Sequence, residues 1–292
     1  MTCVVLCYHR VLPPGVGGPL AECQRRRGTV VSLATFERQM EDAARLWVPI
    51  ALDEFVAALE GRGSLPERAC LVTFDDGYRD FAEHALPVLQ RRSMPSVLFV
   101  TAAQVVEPQA LAPADVWYSI VAGAPGTAVE GSGVAEKREY DMAPPTRQVE
   151  LQQRLARRLG TTERLTLLAA ELYLNESELA ALARRGVELG SHGASHYAFT
   201  ALADSDLQSN LVASRELLQR LAPQSPAAIS YPYGRVDERV RRATAQSGYR
   251  AGFTVRPYDG KPDEDALLVK RSCVPDRREA LRELAAGERM GI

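Results

Sequence analysis

Histidine is scarce in this 292-residue sequence, with four in all, and tryptophan and cysteine are nearly as rare at two and five. The cysteines (Cys3, Cys7, Cys23, Cys70, Cys273) are odd in number and include no Cys-x-x-Cys pair, which argues against a disulfide scaffold or a zinc ribbon. Most sit in apolar runs, the setting of reduced core thiols. There is no excess of positive charge: 35 Lys and Arg against 37 Asp and Glu leave a net charge of −2, so no field is available to hold a nucleic acid. No apolar run is long enough to span a bilayer. The opening Met1–Arg10 also lacks the basic start and small-residue cleavage site of a secretory leader, so a cytoplasmic protein without a transmembrane segment is expected. Internal repeats and low-complexity tracts are missing too, and a composition 46% hydrophobic and 25% charged sets disorder and fibrous classes aside.

What is present is a rhythm. Short apolar, β-rich runs recur at Cys3 to Tyr8, Val48 to Leu52, Ala69 to Phe74, Ser96 to Thr101, Val187 to Gly190, Ala228 to Tyr231, Arg250 to Val255 and Leu267 to Val274. Amphipathic helical patterns lie between them. One is capped by Ser32 with Phe36, Met40, Ala43 and Trp47 on one face; another begins near Asp204 with Leu207, Leu211, Leu218 and Leu221. Alternating strands and helices imply a mainly parallel sheet. About eight strands in a chain of this length fit a distorted or incomplete (β/α) barrel related to the TIM barrel, in one domain spanning 1–292. Pro, Gly and Ser break the rhythm from Gln104 to Thr146, and a charged, Leu-rich helical stretch follows from Arg147 to Arg185. Together they read as a helical insertion at about 104–185 over the barrel mouth. Within it, Trp117 either lies against a sugar ring or packs the insertion onto the barrel.

Chemistry concentrates just past the strand ends. Leu71-Val72-Thr73-Phe74 runs into the adjacent carboxylates Asp75 and Asp76 and then Gly77, a pairing costly to place without a cation. Val187-Glu188-Leu189-Gly190-Ser191 runs into His192 and His196, whose four-residue spacing turns both imidazoles to one side within a helical turn. Half of the histidines in the chain fall in this one pair. Ile229-Ser230-Tyr231 stops at Pro232-Tyr233-Gly234, by itself only a turn, and Tyr8-His9-Arg10-Val11 follows the first strand, where a lone histidine is usually structural. In a parallel barrel, residues just past strand ends converge on one face, so four separate signals collapse into one site.

These residues resemble the polysaccharide deacetylase (NodB homology) family. Thr73-Phe74-Asp75-Asp76-Gly77 is similar to its first motif, Ser191-His192-Gly193-Ala194-Ser195-His196 to its His-x-x-x-His second, and Tyr231-Pro232-Tyr233-Gly234 to its third, in the same order and with matching separations. The likeness extends in outline from Tyr8 to the Lys270-Arg271-Ser272-Cys273-Val274 stretch. It implies a metal-dependent hydrolase that removes an N-acetyl group from an amino sugar, releasing acetate and a free amine. Asp76, His192 and His196 would be the metal ligands and Asp75 the general base, while the backbone N–H of Tyr233 would face the oxyanion. Two His and one carboxylate suit Zn²⁺ best but also accept Fe²⁺, Co²⁺, Ni²⁺ or Mn²⁺.

The sequence departs from the family pattern in two places. The commonest members carry a late histidine as general acid, and here none follows His196; His9 is the candidate, as in the branch acting on poly-N-acetylglucosamine, where an early Tyr-His supplies the acid. An upstream Arg in the third motif commonly orients the catalytic Asp, and here Ala227-Ala228-Ile229-Ser230 stand in its place, leaving open whether Arg271 substitutes. Tyr231, Pro232, Tyr233, Trp117 and Arg271 are the expected substrate-binding residues. The expected partner is an N-acetylated saccharide or aminoglycoside-like small molecule. The rival readings are hydrolysis of a ureide-like non-sugar amide on the same barrel, and a non-catalytic saccharide-binding relative.

Overall fold

The structure, a computed structural model, describes residues 3–107, 110–123, 134–160, 165–257 and 265–287. Its strands are β1 (Cys3–Tyr8), β2 (Arg10–Leu12), β3 (Val30–Ser32), β4 (Val48–Pro49), β5 (Ala69–Phe74), β6 (Ser96–Val100), β7 (Glu188–Ser191), β8 (Ala228–Ser230), β9 (Ala251–Phe253) and β10 (Ser272–Cys273). One parallel sheet runs β10-β1-β5-β6-β7-β8-β9, with β4 on the start of β5; β2 and β3 form a separate parallel pair. The stretch before β10 turns the sheet back on itself: Val269 donates its N–H to Gly252 and accepts from Thr254, while Val274 donates to Cys7 on the far side. The result is a curled, distorted (β/α) barrel.

The helices are α1 (Gly18–Arg26), α2 (Leu33–Leu46), α3 (Leu52–Leu59), α4 (Leu86–Arg91), α5 (Ala102–Val106), α6 (Pro113–Ala122), α7 (Val134–Met142), α8 (Pro145–Leu159), α9 (Leu165–Leu172), α10 (Glu176–Arg184), α11 (Asp204–Leu221), α12 (Glu238–Gln246) and α13 (Ala280–Ala285). Ser32 caps α2 by accepting from the Thr35 N–H at 3.3 Å, and Phe36, Met40 and Ala43 are buried along it. Among the described residues no helix is long and apolar enough to cross a membrane.

The strands are apolar along their whole length because both faces are buried, as parallel barrel strands require. Side chains alternate between two cores. Val4, Leu6 and Tyr8 with Cys70, Val72 and Phe74 pack outward under the helices. Cys3, Val5, Ala69, Leu71, Val97, Phe99, Ala228, Phe253 and Val269 pack inward, closed at one end by Phe55 and Val56 of α3. A Cβ on Gly190 would lie 2.3 Å from the Phe99 ring, so β7 needs glycine where that ring fills the barrel. Continuing the inward series past the apolar layer reaches Cys7, Thr73, Asp75, Ser230 and Arg271. The interior is therefore greasy at the N-terminal end of the strands and polar at the C-terminal end.

The stretch between β6 and β7 carries α5 to α10. Its described part seats itself beside the strand ends: Tyr173 forms an antiparallel bridge with Tyr78, and Leu174 donates its N–H to the Gly77 carbonyl at 3.1 Å. Parts of the expected insertion at about 104–185, namely 108–109, 124–133 and 161–164, lie outside the described residues.

Candidate active site and metal centre

Strand β5 ends and the chain turns at once: Asp76 and Gly77 both take positive φ, 76° and 75°. For an aspartate that conformation costs on the order of 1 kcal/mol or more, strain that persists where the surroundings impose it. The turn sends the two carboxylates to different partners.

Asp75, 2% exposed, faces into the barrel. Arg271 grips it through two parallel hydrogen bonds, Nη1 to Oδ1 at 2.8 Å and Nη2 to Oδ2 at 2.7 Å. The Ser230 hydroxyl adds a bond to Oδ2 at 3.1 Å. Arg271 has no exposed surface, and its remaining donors go to the Thr254 carbonyl, the Thr73 hydroxyl and the Ser230 hydroxyl. Burial pushes the Asp75 carboxyl up, but the Arg271 charge, helped by His192 and His9, overcomes it and holds the pKa at about 2. Asp75 is therefore ionised near neutral pH, the state in which a carboxylate can accept a proton.

Asp76 faces the histidines. Its Oδ1 lies 3.0 Å from Nε2 of His196 and 3.4 Å from Nε2 of His192, yet that oxygen is buried and makes no hydrogen bond. The Nδ1 of His192 is 2.8 Å from the Ser230 carbonyl; a carbonyl can only accept, so Nδ1 carries the proton and Nε2 presents a lone pair. Three electron-pair donors thus crowd one point, all within 4.8 Å of one another. An orphaned carboxylate oxygen between two imidazole nitrogens fits a divalent cation, and two His with one carboxylate is a common catalytic zinc set that leaves a coordination position open. This donor set would also take Fe²⁺, Co²⁺, Ni²⁺ or Mn²⁺.

Tyr233 closes one side of this centre, with a positive φ of 57° and its ring centroid 5.0 Å from that of His196. His9, partly exposed, comes from the end of β1: one of its ring nitrogens, the Cys7 sulfur and an Asp75 oxygen all lie within 4.8 Å of one another. The structure thus gathers Asp75, Asp76, His192, His196, Tyr233 and His9 at one end of the barrel.

Four expected substrate contacts are buried or already engaged. Trp117 is 3% exposed and packs tilted against Tyr140, ring centroids 4.8 Å apart, in a cluster with Ile120, Leu151 and Leu155, so it holds the insertion's own helices together and offers no face to a sugar. Tyr231 is fully buried against Phe199 and Pro232 is buried beside it. Arg271 is spent on Asp75. Its guanidinium thus reaches that carboxylate from near the other end of the chain.

A network absent from the sequence reading supports the turn from behind. Asp115 of α6, with no exposed surface, accepts from the hydroxyls of Tyr78 and Tyr173 and, at 2.6 Å, from the Gln24 amide. Arg10 bonds Gln24 and Asp80, both at 2.7 Å, and lies over the Tyr78 ring. Tyr78 follows Asp76 by two residues and Arg10 follows His9, so both arms of the site are tied to one buried cluster. A cleft of about 1070 Å³ lined by Arg10, Asp80, Glu83 and His84 includes none of Asp75, Asp76, His192 and His196 and is not where these donors converge.

With that geometry in view, comparison with known proteins is direct. The polysaccharide deacetylase family profile matches residues 62–252. The chain is 22% identical over 205 residues to YxkH of Bacillus subtilis (strain 168), which bears a polysaccharide deacetylase name, and spans about half (51%) of that relative's length. In structure it is similar to the deacetylase PplD of Streptococcus pyogenes, solved with acetate, at a TM-score of 0.68 and 15% identity over 99% of each chain. It is also similar to IcaB of Ammonifex degensii, at 0.63 and 21% identity, covering 97% of this chain and 95% of that one. A barrel of parallel strands with an Asp-Asp turn and a His-x-x-x-His turn at its polar end defines the class. The chain belongs to the polysaccharide deacetylase family.

Proposed function

We propose that the protein hydrolyses the N-acetyl group of an amino sugar or amino-sugar-containing metabolite, releasing acetate and a free amine, with a divalent cation, Zn²⁺ in first place, held by Asp76, His192 and His196. The observation that carries this reading is the division of labour between adjacent carboxylates. Asp75 is locked and ionised by Arg271, and Asp76 is left with a bare oxygen between two imidazoles.

When bound, the cation supplies Lewis-acid polarisation of the amide carbonyl and acidifies a water. Asp75 takes the proton of the attacking water on a carboxylate lone pair that the two-point grip of Arg271 leaves open, and that grip fixes its orientation. The backbone N–H of Tyr233 is the donor proposed for the developing oxyanion. The departing amine needs a proton, and His9, partly exposed beside Asp75, is positioned to give it. Transfer of the Asp75 proton toward His9 after each cycle would reset both groups.

The test is acetate release from a panel of N-acetylated sugars and aminoglycosides set against a panel of ureides and linear amides, using metal-loaded protein beside Asp75→Asn and His192→Ala. Acetate from a sugar with wild type and none with either variant supports the proposal. Ammonia or amine release from the non-sugar panel alone would replace the substrate class, and saccharide binding without hydrolysis would make the chain a binding relative.

A further inference from the structure

Below the proposed acid lies a set of soft donors that the deacetylase reading does not use. Cys7 in β1 and Cys273 in β10 are register partners on adjacent parallel strands, so their side chains leave the sheet on the same, inward side. The Cys7 sulfur, a ring nitrogen of His9 and an Asp75 oxygen lie within 4.8 Å of one another, with Cys7 3.7 Å from Asp75 Oδ2. Cys273 and His9 are both partly exposed, so the cluster can be reached from outside.

We propose that Cys7, Cys273 and His9 form a second cation site, selective for soft and borderline ions such as Cd²⁺ and Zn²⁺, distinct from the Asp76–His192–His196 centre. Two thiolates on one tetrahedral ion sit about 3.8 Å apart, given metal–sulfur bonds near 2.3 Å, which same-face side chains on adjacent strands about 4.8 Å apart can reach by rotation about χ1. The charges balance as well. Arg271 and Asp75 neutralise each other, and a divalent ion entering with loss of two thiol protons adds no net charge to the barrel. Asp75 is committed to Arg271 and is not needed as a ligand. The two centres differ in softness: two sulfurs and an imidazole favour Cd²⁺ and Zn²⁺, while the oxygen-containing set tolerates harder ions. On the proposed deacetylase reading, an ion here would take His9 out of proton donation, so excess soft metal would inhibit an enzyme that needs one cation.

The test needs no substrate and so stands or falls apart from the deacetylase reading. Fully reduced, metal-free full-length protein is titrated with Cd²⁺ and the ultraviolet thiolate-to-cadmium charge-transfer band is followed. Asp76→Asn is expected to complete the band with one equivalent, and wild type and Cys23→Ser to complete the same band by two. Cys273→Ser is expected to lose it, with Cd²⁺ affinity at that site falling by at least the roughly 10- to 100-fold that even an outer-shell loss costs. In parallel, without any variant, Cd²⁺ is expected to shield Cys273 from maleimide alkylation as read by peptide mass spectrometry. No band in wild type, a band that survives in Cys273→Ser, or alkylation of Cys273 unaffected by Cd²⁺ would each overturn the site.

Discussion

Replacing Arg271 with methionine removes the one full positive charge facing Asp75 while keeping an unbranched apolar stem in the same space. In the wild type the folded pKa of Asp75 is about 2 against an ordinary 3.8, a depression worth on the order of 2–3 kcal/mol. Because the folded value is depressed, that contribution is present above about pH 4 and is lost as the pH falls through about 2. In Arg271→Met the burial that pushes the carboxyl up is opposed by His192, His9 and the Ser230 hydroxyl without the Arg271 charge. A charge left unpaired in the interior costs about 3–5 kcal/mol, which for a chain of this size lowers Tm by on the order of 10 °C at pH 7. The penalty should shrink toward pH 4 and below, where the variant's Asp75 protonates and the wild type begins to lose its own contribution. Thermal unfolding of the two proteins across pH 3 to 8, followed by circular dichroism, checks this. A variant as stable as wild type at pH 7, or a deficit that does not narrow in acid, would refute the argument that Arg271 holds Asp75 ionised.

Three further outcomes are expected. His9→Ala should lower the rate of acetate release by about 10²- to 10⁴-fold, the usual loss for a general acid, while metal content by atomic absorption stays at the wild-type level. Asp115→Ala strips the shared acceptor from Tyr78, Tyr173 and Gln24; each stranded donor costs about 1–3 kcal/mol, so chemical denaturation should show a loss of several kcal/mol even though Asp115 touches no proposed ligand. Asp76→Asn, or chelation of the wild type, should remove the cation and the activity together, and adding Zn²⁺ back should restore only the chelated wild type.

The strands were legible where they were long and apolar on both faces: Cys3–Tyr8 and Ala69–Phe74 stand in the structure as read from the sequence. The pair β2 and β3 was not, because three residues each give no period to detect. Leu267 to Val274 reads as one strand, but it crosses from β9 to β1, so it pairs at Val269 on one side and at Ser272–Cys273 on the other and leaves only two residues in regular geometry. The residues that cluster at the polar end were readable because each follows a strand and parallel strands share one open end. Local sequence could not show that Arg271 meets a carboxylate 196 residues away, that Asp115 ties the insertion to the Tyr78 turn, or that Trp117 faces helices and not a sugar. Those depend on long-range docking, and the only signals were a cationic residue inside an apolar run and an acid inside an otherwise apolar helix segment.

The central claim is that Asp75 and Asp76, though adjacent, do different work, one as base and one as ligand. The most direct measurement is metal content and acetate release determined together for Asp75→Asn. The account predicts a protein that still binds one equivalent of cation at the Asp76–His192–His196 centre and releases no acetate from a sugar that the wild type deacetylates. An Asp75→Asn protein that loses its cation, or that keeps wild-type acetate release, would contradict it.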